Sequence, residues 1–463
     1  MYTGEKVSQM RNAISPFVAV VAAIATFSLH FALAQKTALA GNIRDAEIEH
    51  TIGFYAAPLL KAAGLMPEDI KFHIVNDRGI NAFVARGRRI FITSGLLMAA
   101  DSPEQVVGVL AHEIGHITGG HLARLSGALN NARKQALIGE VIGFALGALA
   151  KESSVAATTI AKSSEIATKG VFKFSRTQER SADQFALELL EKTQTSATGL
   201  LEFFESLQDQ ELLVRDRQDT YVATHPRTRD RIAFVRKHIK KSPYSGNYMP
   251  ANVKVMHERM SAKLRGFFNP TIQTLREFPA DDKKVSARYA RAMAYYRNAQ
   301  SEEALKLIDG LLEQIPNDPY FHELRGQILF EHGKLTEALP SYETAVALLP
   351  QQPLLRVGLA HVQLELNMPL LIKAAISNLE EALRSDKVMP LSWQLAATAY
   401  GRDGQLGLSA LALSEYHLLL GRYVDAHGQA EKAIRILREN SPSWVRAHDI
   451  LNISRRADNI KRR

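Results

Sequence analysis

Two histidines four residues apart, His112 and His116 in the stretch AHEIGH, restrict what this chain can be more than any other feature of it. On a helix, at ~100° per residue, their imidazoles stand only ~40° apart on one face and a turn removed from each other, which lets them grip one metal ion. A helix start precedes them: Ser102 can cap, Pro103 fits the first turn, and Gln105 sits where a capping box wants its reciprocal acceptor. Val106, Val107, Val109 and Leu110 give that helix a side to bury, so the pair belongs to a core helix. Glu113 lies ~100° round from His112, near enough to reach a water at the metal but badly placed to join the ligand pair, and reads as a general base.

The chain contains no cysteine, which excludes both a disulfide framework and a thiolate site, so any metal must be held by His and carboxylates. A second predicted helix, from about Thr177, places Glu179 and Asp183 four residues apart and therefore on one face. Such a pair is ordinarily a solvated helix face, but two imidazoles alone do not complete a metal site.

With 463 residues, 46% apolar and 23% charged, the sequence has material for two or three globular domains. Lys6 and Arg11 precede an apolar run from Ile14 to Leu33 that closes on Ala32-Leu33-Ala34. This predicts a secretory signal over residues 1–34 with a mature start at Gln35, the alternative being an uncleaved N-terminal anchor. Removing it takes away Lys6, Arg11 and Glu5, so the formal charge falls only from +9 to +8. A basic protein suits anionic membrane surfaces or acidic partners, and peripheral membrane contact is expected; no nucleic-acid motif accompanies the charge. Ala136 to Ala150, at 15 residues with Glu140 inside, is too short to cross a bilayer.

Helices are expected between Ile43 and Leu65, followed from Lys71 by alternating Phe72 and Ile74, a turn at Asn76-Asp77-Arg78-Gly79, a second run to Ala85, a turn at Arg86-Gly87-Arg88, and Ile90 and Ile92 before Gly95. This predicts a small antiparallel sheet ahead of the metal helix. Asn81, Ala82 and Phe83 are candidates for an edge strand that pairs with an extended peptide, or for an ordinary hairpin. From about Ser286 a period of 34 emerges: Pro316 and Pro350, Ala304 and Ala338. That is the tetratricopeptide repeat (TPR) period, clearest from Pro319 to Gln352, where Gly326, Ala338, Tyr342, Ala345 and Pro350 fall in place. The unit from Pro353 to Met389 needs three extra residues near Leu370, and a terminal capping helix is expected over Ser441 to Arg456.

In order along the chain, Asn81-Ala82-Phe83 with Gly95-Leu96, AHEIGH with His121, FSRTQERSAD at Phe174 to Asp183, and His225-Pro226 with Arg231-Ile232 resemble the zinc metallopeptidases that include the CAAX prenyl protease and HtpX. The resemblance implies a mainly α fold, a gluzincin-type metallopeptidase domain with its small sheet over residues 35–250, linking helices over 251–284, and a TPR solenoid over 285–463. It implies one zinc per chain on His112, His116 and Glu179, Glu113 as base, and Asp183 accepting from a ligating imidazole. His225 would face the zinc, as an oxyanion donor or as a plug, with Arg231 as a nearby polar anchor. His121, ~180° round from His112, is expected to be a packed or capping histidine. Gly119-Gly120 stand where relatives usually carry bulkier residues, often Arg before the His. The expected function is zinc-dependent endopeptidase activity in the periplasm, in quality control of unfolded or misassembled envelope proteins, with the outer-membrane assembly machinery as partner. The competing expectation is a periplasmic chaperone or scaffold with a largely latent zinc site.

Overall fold

A computed structural model describes residues 42–85, 88–121, 176–213, 225 and 229–461. The expected signal segment, the apolar run 136–150 and the turn at Arg86-Gly87 lie outside the described residues. The chain divides into one unit formed by residues up to Arg44 with Glu49–Leu264, and a second formed by Asp45–Ile48 with Arg265–Arg463.

In the first unit, strands β1 (Asn42–Ile43), β2 (Lys71–Val75), β3 (Ala82–Ala85) and β4 (Arg89–Thr93) make one sheet in the order β1-β2-β4-β3. The sequence predicts an antiparallel sheet, and both outer pairs are antiparallel, but the central β2–β4 pair is parallel. Burial gives the reason. Ile90, Phe91 and Ile92 of β4 are all buried, so this strand, apolar on both faces, takes the middle and leaves β3 at the edge. The Thr93 hydroxyl ties the mouth of the β3–β4 hairpin: it accepts from the Asn81 N–H at 2.9 Å and from Leu96 N–H at 3.2 Å, capping the short helix α2 (Ser94–Ala99).

Helix α1 (Ala46–Ala62) connects β1 to β2, and α3 (Pro103–Thr118) follows α2. Helix α3 starts where the sequence places its cap, but the cap chemistry differs. The Ser102 hydroxyl makes no capping bond, while the Gln105 side chain accepts from the Asp101 N–H at 3.1 Å, one residue before the N-cap. Every residue from Pro103 to Gly115 is buried. The first unit continues with α4 (176–192), α5 (Thr198–Leu213), α6 (Arg229–Ile239) and most of α7 (Ala251–Phe268). Helices α3 and α5 meet closely because both carry glycine at the crossing: a Cβ on Gly108 would stand 2.8 Å from the Leu200 Cβ, and one on Gly199 only 2.3 Å from the Glu104 carbonyl carbon.

The second unit is built of α8 (Thr271–Glu277) and then helices α9 (Val285–Arg297), α10 (Ser301–Gln314), α11 (Pro319–Glu331), α12 (Leu335–Leu348), α13 (Pro353–Leu366), α14 (Pro369–Ser385), α15 (Pro390–Arg402), α16 (Leu406–Leu419), α17 (Tyr423–Ile436) and α18 (Pro442–Lys461). The period-34 alanines, Ala304 and Ala338, are fully buried, and the Tyr342 ring lies between Gly326 of α11 and Gly358 of α13, each within 2.7 Å of where a Cβ would be. The three extra residues near Leu370 lengthen a helix rather than a loop: α14 has 17 residues where α12 has 14. Among the described residues no helix is long and apolar enough to cross a membrane.

The contact at Gly199 is backbone against backbone, so no rotamer change relieves a methyl group there. Gly199→Ala should cost about 1–3 kcal/mol, read by urea denaturation of the full chain, and unchanged stability would show that α3 and α5 can separate freely.

Candidate metal centre

Four side chains from three parts of the first unit converge. His112 and His116 come from one face of α3, Glu179 from α4, and His225 from the stretch before α6. The approach of α3 and α4 depends on the glycine inside AHEIGH: a Cβ on Gly115 would stand 2.8 Å from the Ala182 carbonyl oxygen. With no side chain at that point, the turn of α3 that carries the histidines and the turn of α4 that carries Glu179 and Asp183 can face each other directly.

The inner atoms form a compact set. His112 Nε2 lies 3.1 Å from His116 Nε2 and 3.3 Å from both Glu179 Oε2 and His225 Nδ1. Glu179 Oε1 is 3.3 Å from His116 Nε2, and Oε2 is 3.0 Å from His225 Nδ1. Donors at ~2.0–2.1 Å around a tetrahedral zinc would be about 3.3 Å apart. The set therefore has zinc dimensions.

The outer atoms say the same. His112 Nδ1 stands 3.0 Å from Asp183 Oδ1, at an angle short of a straight hydrogen bond, and His225 Nε2 stands 3.2 Å from the Ala82 carbonyl oxygen. A carbonyl and a carboxylate can only accept, so with a cation at the inner nitrogens each ring would carry its hydrogen on the outer one and turn a lone pair inward. His116 Nδ1 faces another imidazole, that of His121, at 3.1 Å. His112, His116, Glu179 and His225 could together hold a metal ion.

Charge follows from this arrangement. Burial pushes Glu179 upward, but His225 and the contacts from His112, His116 and His225 outweigh it and hold the carboxyl well below its usual range. Burial likewise opposes ionisation of Asp183, and the Arg231 guanidinium with His112 holds it low. Burial works against a charged His112, yet Asp183 and Glu179 raise it to about 9, whereas burial keeps His116 below the ordinary histidine value. Two ionised carboxylates thus draw positive charge into the centre.

Arg231 of α6 answers those carboxylates from outside. Its Nε and Nη2 donate to the two Asp183 oxygens at 2.6 and 2.7 Å, its Nη1 lies 3.1 Å from Glu179 Oε2, and its guanidinium sits 4.6 Å from the Phe204 ring centroid. Glu113 is fully buried beside the cluster, and neither of its oxygens has a hydrogen-bond partner among the described residues; His225 Nε2 is 3.6 Å from Oε1. A buried carboxylate with both oxygens unsatisfied suits a group that handles a proton on a water.

Asn81, Ala82 and Phe83 lie at the outer edge of the sheet, with the Phe83 ring stacked on Phe91. Thr93 N–H donates to the Asn81 carbonyl, so the alternation of an antiparallel ladder turns the Ala82 carbonyl away from β4. That outward carbonyl is the one His225 takes. The sequence carries no signal for this contact, because a main-chain acceptor has no residue type. Phe174 and Pro226, which belong to the motifs read above, lie outside the described residues.

Comparison with known proteins gives the class. Residues 43–239 match Peptidase family M48, and residues 289–353 match a tetratricopeptide repeat. The chain is 24% identical over 403 residues to the beta-barrel assembly-enhancing protease of Yersinia pestis, covering 86% of this chain and 81% of that one. It is 28% identical over 286 residues to a putative beta-barrel assembly-enhancing protease of Vibrio cholerae, covering 60% and 58%. Over 174 residues it is 28% identical to the metalloprotease YcaL of Escherichia coli, covering 37% and 63%. The chain carries a peptidase family M48 domain together with tetratricopeptide repeats, and it is a metallopeptidase whose cofactor is zinc.

Removing Arg231 would leave buried carboxylates without their counter-charge. Arg231→Met should destabilise the metal-free protein by about 3–5 kcal/mol, measured by chemical denaturation in chelator. Arg231→Lys, which keeps the charge but loses the fork, should fall between parent and Met, and equal stability of all three would show that the guanidinium is not needed there.

Proposed function

We propose that this protein is a zinc endopeptidase that cleaves extended segments of unfolded or misassembled envelope proteins in the periplasm, and that its repeats dock substrates or the outer-membrane assembly machinery. The observation that carries the chemistry is the inward set of lone pairs on His112, His116 and Glu179 beside the unsatisfied carboxylate of Glu113. Zinc held there supplies Lewis-acid polarisation of a carbonyl and an acidified water. Glu113 takes the proton of the attacking water and returns it to the leaving amine nitrogen. Asp183 fixes the His112 ring through Nδ1, and Arg231 fixes Asp183. The edge strand at Asn81, Ala82 and Phe83 receives the substrate main chain by strand addition. The cellular part of the reading draws on the signal-like residues 1–34 and on relatives named as beta-barrel assembly-enhancing proteases.

His225 acts in this reading as a reversible fourth ligand. Its Nδ1 would be the fourth donor to a bound zinc, while its Nε2 occupies Ala82 O, the acceptor that an incoming peptide N–H would use. A substrate strand pairing with β3 therefore competes with the contact that holds His225 in place. The same completeness of the four-donor set favours a second reading, a scaffold whose zinc site is mostly latent.

Glu113→Gln should retain zinc but lose hydrolysis of an unfolded protein by at least ~10²-fold; full activity in that variant removes Glu113 from the mechanism. His225→Ala should retain zinc and raise proteolysis of a loosely folded substrate, self-cleavage included. A drop of about 10²–10³-fold would instead make His225 an oxyanion donor, and no hydrolysis by either the parent or His225→Ala would favour the scaffold.

A further inference from the structure

The geometry points to His121 as a positioning residue that fixes His116 for zinc, with Gly119-Gly120 present to let it do so; this rests on the reading of His116 as a zinc ligand. His116 turns Nε2 toward His112 and Glu179, so a ligating His116 must carry its hydrogen on Nδ1. The atom facing that Nδ1 is His121 Nδ1, at 3.1 Å, with the two rings edge to face at 84°. His121 therefore accepts there and keeps its own hydrogen on Nε2. Asp183 does the same for His112, so each α3 ligand has its own outer acceptor, a carboxylate for one and an imidazole for the other.

His121 reaches this place only because the chain folds back sharply after α3. Gly120 adopts φ +62, and a Cβ on Gly119 would lie 2.3 Å from His121 Nε2 and 2.8 Å from Cδ2 and Cε1. The ring occupies the volume of the missing side chain. Gln178, next to Glu179 on α4, donates from its amide to the His121 carbonyl at 2.6 Å and so holds the turn against the helix that supplies the third ligand. His121 itself is 3% exposed. The two glycines, costly to a helix, thus make the pocket for this imidazole.

The test measures the zinc dissociation constant of the full chain by competition with a chromogenic chelator, with thermal melting of each variant alongside. His121→Leu should weaken zinc roughly 10- to 100-fold. His121→Asn, whose amide oxygen can stand where Nδ1 stands, should restore most of that loss. Gly119→Ala is the sharper variant: φ −69 and ψ −10 at this position suit alanine, so melting should hold or rise, yet zinc should weaken because methyl and imidazole compete for one space. Parent-like zinc affinity in His121→Leu or in Gly119→Ala overturns the inference, as does an Asn variant no tighter than Leu. Failure of the ligand reading is separate and shows as His116→Ala binding zinc as tightly as the parent.

Discussion

Electron pairs aimed at one another in a dry interior are unstable without positive charge between them, and this constraint organises the first unit. His112, His116, His225 and Glu179 present such pairs at 3.0–3.3 Å. Around them stand the groups that face their outer atoms, Asp183, His121 and the Ala82 carbonyl, with Arg231 supplying the charge that lets Asp183 stay ionised. The centre is over-determined from outside, so the protein itself orients each donor.

That outer layer explains otherwise unrelated features of the chain. Gly115 lets two helices approach so that a histidine pair and a carboxylate pair, each one turn apart, oppose each other. Gly108 and Gly199 seat α3 on α5, and the buried β4 leaves β3 at the edge of the sheet, within reach of His225. Core packing and site geometry are here the same contacts, so a substitution at either glycine of that crossing acts on the first unit's stability and on the site together.

Much of this was legible in the sequence because periodicity fixes faces. The four-residue spacings of His112 and His116 and of Glu179 and Asp183 placed each pair on one side of its helix, and the period of 34 located the repeats down to Gly326 and Tyr342. The start of α3 at Pro103 was readable as well, although the Gln105 side chain caps Asp101 rather than Ser102. Strand order was not readable, since alternation shows which residues are buried but not which strand lies between which others. Nor was His225 on Ala82 O, because hydrogen bonds to main chain leave no residue signature. His121 is packed and outside the four-residue cluster, as expected, but its neighbour was not readable: an ideal helix puts it opposite His112, and the reversal at Gly120 brings it back beside His116.

The edge-strand carbonyl has one more consequence. On the proposed reading, Ala82 O asks only whether a passing chain has a spare main-chain donor, and a strand already paired on both sides has none. Recognition at that point counts unspent hydrogen-bonding valence, whatever the side chains are. Folded and unfolded states of a single sequence would then differ at this site as strongly as two different sequences do at an ordinary specificity pocket, and proline, lacking the donor, would be passed over in either state.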